Sequence, residues 1–138
     1  MSLSTKLRVV VDTNVFISAI IWKGTPAKVI NLWLKDQHCF YISPEILVEI
    51  YQILMKFNLP LVMVNQFKDL IEQHSQKIIP EKHFHVVRDE KDNKYLDLCF
   101  AANIDYLVTG DKDLLTLKQF KATRIVTPKA FLDKLRKE

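Results

Sequence analysis

Three of the chain's five prolines directly follow a hydroxyl residue, at Thr25-Pro26, Ser43-Pro44 and Thr127-Pro128. A hydroxyl at the N-cap accepts from a free helix amide, and proline at the first helical position gives up no hydrogen bond. Each pair therefore predicts a helix start, and the patterns that follow predict helices over 26–35, 44–56 and 128–137. Two of the starts come straight after short apolar runs, Cys39-Phe-Tyr-Ile42 and Arg124-Ile-Val126. Comparable runs are Arg8–Asp12, Phe84–Val87 and Tyr106–Thr109. Runs this short, β-rich and bounded by caps predict five buried strands. Further helices are predicted over 14–21, 61–77 and 92–103. Strands alternating with helices make an α/β domain with a mostly parallel sheet.

Composition narrows what such a domain can do. The chain of 138 residues has the length of one domain, 1–138, and shows no repeat or linker. Its only two glycines, Gly24 and Gly110, are too far apart for either glycine-rich phosphate loop. If the protein handles phosphate, it does so by another device. Cys39 and Cys99 are isolated thiols among apolar neighbours, which predicts a reducing, cytoplasmic setting. No apolar stretch approaches the roughly 20 residues of a membrane span. The net charge is +4 and the basic residues gather late. From Lys118 on, Lys118, Lys121, Arg124, Lys129, Lys134, Arg136 and Lys137 face only Asp133 and Glu138. Such an end suits a polyanion, and equally a solvated amphipathic helix.

In a parallel sheet, ligands bind outside the carboxyl ends of the strands. Asp12 ends the first run and Asp111 follows Tyr106-Leu-Val-Thr-Gly110. One such acid is explained as a helix cap; two strand ends with acids are less well explained that way. On the helix over 44–56, Glu49 falls about 40° beyond Ile53, at the edge of the apolar stripe. An ordinary flanking glutamate would stand there too. Asp92 falls inside the apolar face of the helix over 92–103, whereas Asp97 turns to the other side. Carboxylates at a first turn interact with free amides, which accounts for both Asp89 and Asp92 as caps, but an inward acid is costly without a cation. If Asp12, Glu49, Asp92 and Asp111 converge, each pair of charges 4 Å apart repels by about 4 kcal/mol at an effective dielectric of 20. Oxygen-only donors then suit Mg²⁺ or Mn²⁺ rather than zinc. The matching chemistry is metal-assisted attack of water on a phosphodiester.

Three patches carry a family resemblance: Val9-Val-Val-Asp12-Thr-Asn14-Val-Phe-Ile-Ser18-Ala19, Ser43-Pro-Glu-Ile-Leu-Val-Glu49-Ile, and Asp89-Glu-Lys-Asp92 running on to Val108-Thr109-Gly-Asp111-Lys-Asp113-Leu. In this order and spacing the chain resembles the PIN-domain ribonucleases, in particular the bacterial and archaeal branch that includes VapC-type toxins. The resemblance implies a three-layer α/β/α domain around a central, mostly parallel five-stranded sheet. It implies metal-dependent cleavage of single-stranded RNA, with Asp12, Glu49, Asp92 and Asp111 as catalytic and metal-binding acids. Asn14 and Thr109 would support the site, and Asp113 would be an auxiliary acid. It further implies a homodimer and, for a toxin, an antitoxin protein as partner.

The alternative is a non-catalytic nucleic-acid- or protein-binding module with the same fold. A haloacid-dehalogenase-type phosphatase needs a second Asp where Asn14 stands, and a receiver-like phosphoacceptor needs one where Ser43 stands. His83-Phe-His85 reads as an exposed strand edge, and Trp22 and Trp33 read as packing residues rather than base-stacking ones. Leu59–Val64 reads as core or as a groove toward a partner. Gly110 is expected to let the backbone bend so that Asp111 reaches the site. Gly24 is expected only to separate two helices.

Overall fold

A computed structural model describes residues 6–136, so that Lys137 and Glu138 of the basic tail lie outside the described residues. The chain runs β1 (Arg8–Val11), α1 (Thr13–Ile21), α2 (Gly24–Leu34), β2 (Cys39–Ile42), α3 (Pro44–Met55), α4 (Leu61–Gln73) and β3 (Gln76–Lys77). A long connection ending in a 3₁₀ turn (Glu90–Asp92) leads to α5 (Asn93–Ala101), β4 (Tyr106–Val108), α6 (Lys112–Leu117), β5 (Gln119–Phe120), β6 (Thr123–Val126) and α7 (Pro128–Arg136). The sheet order is β3-β2-β1-β4-β6-β5. Every neighbouring pair is parallel except the closing hairpin of β5 and β6.

Val9, Val10 and Val11 are all buried. Successive strand residues point to opposite faces, so helices must cover both sides of the sheet. On one of them Phe131 of α7 meets Tyr106 of β4, with ring centroids 5.7 Å apart. Trp33 of α2 stacks on Phe40 of β2 at 5.1 Å. Cys99 is buried within this core, and burial pushes its thiol well above the usual range. Among the described residues no helix is long and apolar enough to cross a membrane.

The order decides where a site can form. From β1 the chain moves to β2 and β3 on one side, then returns to β4 on the other. The carboxyl ends of β1 and β4 therefore flank a topological switch point, where an α/β sheet opens a crevice.

The sheet has six strands rather than five, and the difference has a local cause. Phe84–Val87 forms no strand. Its amides are taken by side chains: Phe84 N–H donates to Asp97 Oδ1 at 2.7 Å, and those of Val86 and Val87 to Asn93 Oδ1 at 2.9 and 3.1 Å. No ladder can form from amides already bonded. Asp97 is accordingly buried rather than turned to solvent, and also holds the His83 ring at 3.0 Å. His85 pairs with Glu90 at 2.6 Å, so neither histidine lies on a strand edge. The two strands not anticipated, β3 and β5, are two-residue edge pieces, and β3 replaces the end of the helix expected over 61–77.

Helix starts are two-thirds as expected. Ser43 Oγ accepts from Ile46 N–H at 3.2 Å and Thr127 Oγ1 from Ala130 N–H at 3.1 Å. Thr25 is no cap: α2 begins at Gly24 after Lys23, which makes no side-chain capping bond. Of the apolar stretch Leu59–Val64, which runs into the first turn of α4, Val64 is fully buried while Leu61, Val62 and Met63 are exposed.

Candidate metal centre

Asp12 stands where β1 becomes α1, and it is only 2% exposed. Its Oδ1 accepts from Asn14 N–H at 3.1 Å and so caps α1. Its Oδ2 accepts from the Thr109 hydroxyl at 2.6 Å, across the gap between β1 and β4. Thr109 Oγ1 in turn accepts from Asp111 N–H at 3.0 Å. One buried hydroxyl thus joins the two strand-end acids. Asp111 Oδ2 caps α6 by accepting from Leu114 N–H at 2.9 Å.

Asp89 and Asp92 divide the work that either could have done. Asp89 is exposed and caps the 3₁₀ turn through Lys91 N–H at 3.1 Å. Asp92 is half-buried and caps nothing. Burial, then the charges of Asp111, Asp12 and Asp89, push its carboxyl up to about 6. Burial also raises Asp12, against its hydrogen bonds from Thr109 and Asn14, and Glu49 adds to the rise. These mutual effects show that the strand-end acids and Asp92 share one electrostatic field.

Glu49 joins that field differently. Its Oε1 accepts from the Thr13 hydroxyl at 2.7 Å and from the Tyr95 hydroxyl, and its Oε2 from Lys94 Nζ at 2.7 Å. Burial pushes its carboxyl up, but the donors Lys94, Tyr95 and Thr13 outweigh it and hold the group below the usual value. Burial raises the Tyr95 phenol, which stays a donor. Lys94, Tyr95 and Thr13 are functional neighbours that motif reading does not find. Lys94 and Tyr95 lie 45 and 46 positions from Glu49, and no local period links them.

Beside the acids opens a cleft of about 610 Å³, lined among others by Asn14, Ser18, Arg88, Gly110, Asp111 and Lys112. Asn14 lines it too, and its backbone amide holds Asp12. Asp113 sits farther along the wall and pairs with Arg88 at 3.2 Å. Asp12, Glu49 and Asp92 do not line the cleft; Asp111 and Asp113 do.

Gly110 needs no special backbone here. A Cβ on it would meet nothing within 4 Å, and its φ is not left-handed. It leaves the cleft open rather than enabling a bend. Gly24 is the constrained one, with φ +63°. Gly24→Ala is therefore expected to cost about 1 kcal/mol of stability, whereas Gly110→Ala leaves the melting temperature in place; thermal denaturation of both reads this directly.

The donor set suits a hard divalent cation in chemistry and charge: carboxylate oxygens, one of them kept from ionising until about pH 6 by burial and like charges. Among the described residues, however, no three His, Cys, Asp or Glu side chains already stand at ligating distance from one another.

Comparison with known proteins gives the family. Residues 8–113 match the PIN domain, a span that takes in all of the acids just described. The chain belongs to the PIN-domain family. A relative in Methanocaldococcus jannaschii, the uncharacterized protein MJ1680, is 36% identical over 96% of this chain and 94% of its own length. The crystal structure of PAE2754 from Pyrobaculum aerophilum superposes with a TM-score of 0.61. It covers 96% of this chain and 91% of that one at 13% identity, a likeness of fold. PIN domains are commonly nucleases that act on nucleic acids with divalent metal ions.

Asp92 gives this PIN domain a pH signature. Its folded carboxyl titrates near 6 against 3.8 for the free side chain. Below the lower value both states are protonated and nothing is lost. As pH rises through about 6 the folded carboxylate ionises among like charges, and stability falls. Metal-free Asp92→Asn is therefore expected to gain about 2 °C in Tm over the wild type at pH 7.5, the half-exposed position keeping the gain small. The gain should vanish at pH 3.5. Melting curves in EDTA at the two pH values check it.

Proposed function

We propose that this PIN domain is a Mg²⁺- or Mn²⁺-dependent endoribonuclease that hydrolyses phosphodiester bonds of single-stranded RNA. The observation that carries the reading is the set of acids at the β1–β4 switch point: Asp12 buried, Asp92 raised first by burial and then by Asp111 and Asp12, and a cleft opening at Asp111. Asp12, Asp92 and Asp111 would hold the ion. When bound, it lowers the pKa of its water and neutralises charge growing on the phosphate.

The chain's own residues supply the rest. The Thr109 hydroxyl holds Asp12 Oδ2, and the α6 amide of Leu114 holds Asp111 Oδ2, so both carboxylates have fixed orientation. Arg88 and Lys112 line the cleft and offer positive charge to phosphate oxygens of a bound strand. This replaces the glycine-rich loop that two distant glycines cannot build. RNA as the substrate follows from the family resemblance of the motifs.

The reading extends to a VapC-type toxin, with an antitoxin protein as partner, a homodimer as assembly and the cytoplasm as location. The exposed Leu61, Val62 and Met63 at the start of α4 support a homodimer. The free thiols of Cys39 and Cys99 support a reducing compartment.

A labelled single-stranded RNA incubated with the protein tests the activity. Cleavage in Mn²⁺ that stops in EDTA is expected; RNA bound yet intact in Mn²⁺ leaves only a binding module.

A further inference from the structure

We propose that the wall of the cleft built by α1, α2 and α7 is a nucleobase subsite, in which one base of a bound RNA strand lies against Pro26 and Pro128 and presents its edge to the Ser18 hydroxyl. The inference rests on the RNA reading above and deepens it, giving the cleft a part that holds a base as well as parts that hold the backbone.

The cleft is larger than a phosphate needs. Its volume of about 610 Å³ falls among pockets that take whole ligands, roughly 300–1,000 Å³. Two cations, Arg88 and Lys112, come from the connection before α5 and from the start of α6. The remaining lining has another character. Helices α1, α2 and α7 pack in series, and they contribute Val15, Ser18, Pro26 and Pro128. A nucleotide divides in the same way, into an anionic phosphate and a flat, largely apolar ring with a polar edge.

Both prolines are firmly placed. Pro128 opens α7, whose start is fixed by Thr127 Oγ1 accepting from Ala130 N–H at 3.1 Å. Pro26 lies in the first turn of α2, after a bend in which Lys23 (φ 58°) and Gly24 (φ +63°) both take left-handed backbone. That conformation is costly for lysine and persists only where the surrounding structure imposes it. A proline ring has no rotamer freedom to lose on contact. The two rings therefore offer a base a preformed apolar surface.

Ser18 supplies the polar group beside them. It stands about 6 Å along α1 from Asn14, one turn on and on the same face. A helical hydroxyl can bond back to the carbonyl four residues earlier, as Ser75 does to Ile71 and Thr116 to Lys112. The Ser18 hydroxyl makes no hydrogen bond among the described residues, and Ser18 lines the cleft. A hydroxyl both donates and accepts, so it fits the edge of any base.

Titration of the protein with single-stranded RNA trimers in EDTA, followed by NMR shifts of the cleft amides, tests this without cleavage. Replacing each base in turn by an abasic ribose should cost about tenfold in affinity at one position and little at the others. In Pro26→Ala/Pro128→Ala that penalty should disappear, because Arg88 and Lys112 still hold the phosphates while the base has lost its surface. Alanine suits a first helical turn, and an unchanged melting temperature verifies the fold. Ser18→Ala should weaken binding of the intact trimer and leave the trimer abasic at that position as it was. A scan with no dominant position, a penalty that survives in the folded double variant, or trimers that do not bind without metal each overturn the proposal. If the double variant does not fold, Ser18→Ala decides, and anything but selective weakening of the intact trimer overturns the subsite. Base-dependent binding without RNA cleavage in Mn²⁺ removes the nuclease reading alone, whereas cleavage without base-dependent binding removes only the subsite.

Discussion

Asp12→Asn is expected to lower Mn²⁺-dependent RNA cleavage by at least about 100-fold without loss of the fold. The substitution removes a charge and almost nothing else. Asparagine caps a helix as well as aspartate does, so Asn14 N–H keeps its acceptor and α1 its start. The amide group that replaces Oδ2 costs the Thr109 hydroxyl its acceptor, about 1 kcal/mol. Against that stands relief from holding an ion in a site only 2% exposed. The melting temperature of the metal-free variant should therefore match or exceed that of the wild type. Lost cleavage with a retained or raised Tm identifies a charge kept for chemistry rather than for folding. Undiminished cleavage would remove Asp12 from the centre, and with it the proposed site. Asp111→Asn should behave alike, because it too can keep its cap on Leu114.

Trp33→Ala is expected to destabilise the protein by about 4 kcal/mol, a large part of the 5–15 kcal/mol typical of a domain's total stability. Trp33 is 2% exposed, stacks nearly parallel on Phe40, and donates its indole N–H to Ser75 Oγ at 2.9 Å. Truncation leaves a cavity between α2 and β2 and takes one partner from the Ser75 hydroxyl, which keeps its bond to the Ile71 carbonyl. Trp22, at 78% exposure, provides the contrast. Trp22→Ala should change stability by no more than about 0.5 kcal/mol. Urea unfolding of the two variants measures both, and equal midpoints would contradict the packing assigned to Trp33.

What could be read from sequence depended on whether the cause was local. Val9-Val-Val-Asp12 states both a buried strand and the acid that ends it, and the Ser43 and Thr127 caps act on amides three residues away. Those elements were legible. The segment Phe84–Val87 was not, because the residues that claim its amides, Asp97 and Asn93, lie on a helix that follows. Its β-like composition says nothing of what its amides bond to. β3 and β5 carry no apolar alternation, since two-residue edge strands have too little buried surface to need it. Thr25 misled because Gly24, with its left-handed φ, had already turned the chain into α2.

In the site the same distinction holds. The acids at strand ends announce themselves by position, as does the inward azimuth of Asp92. That Glu49 is met by Lys94 and Tyr95 depends on α3 and α5 packing side by side. The charge balance of the centre is thus a tertiary property, and motif spacing alone left the lysine out of it.

The connection before α5 is fastened to the fold by Asn93 and Asp97 rather than by a sheet partner, and Arg88, at its end, supplies a cation to the cleft. The candidate site therefore draws on two structurally separate parts. Strands that cannot change register without moving Asp12 and Asp111 supply the acids. A surface loop, clipped on by two side chains, supplies Arg88. On the proposed reading, a change in that loop would alter how a nucleic-acid strand is gripped while the acids at the strand ends keep their places.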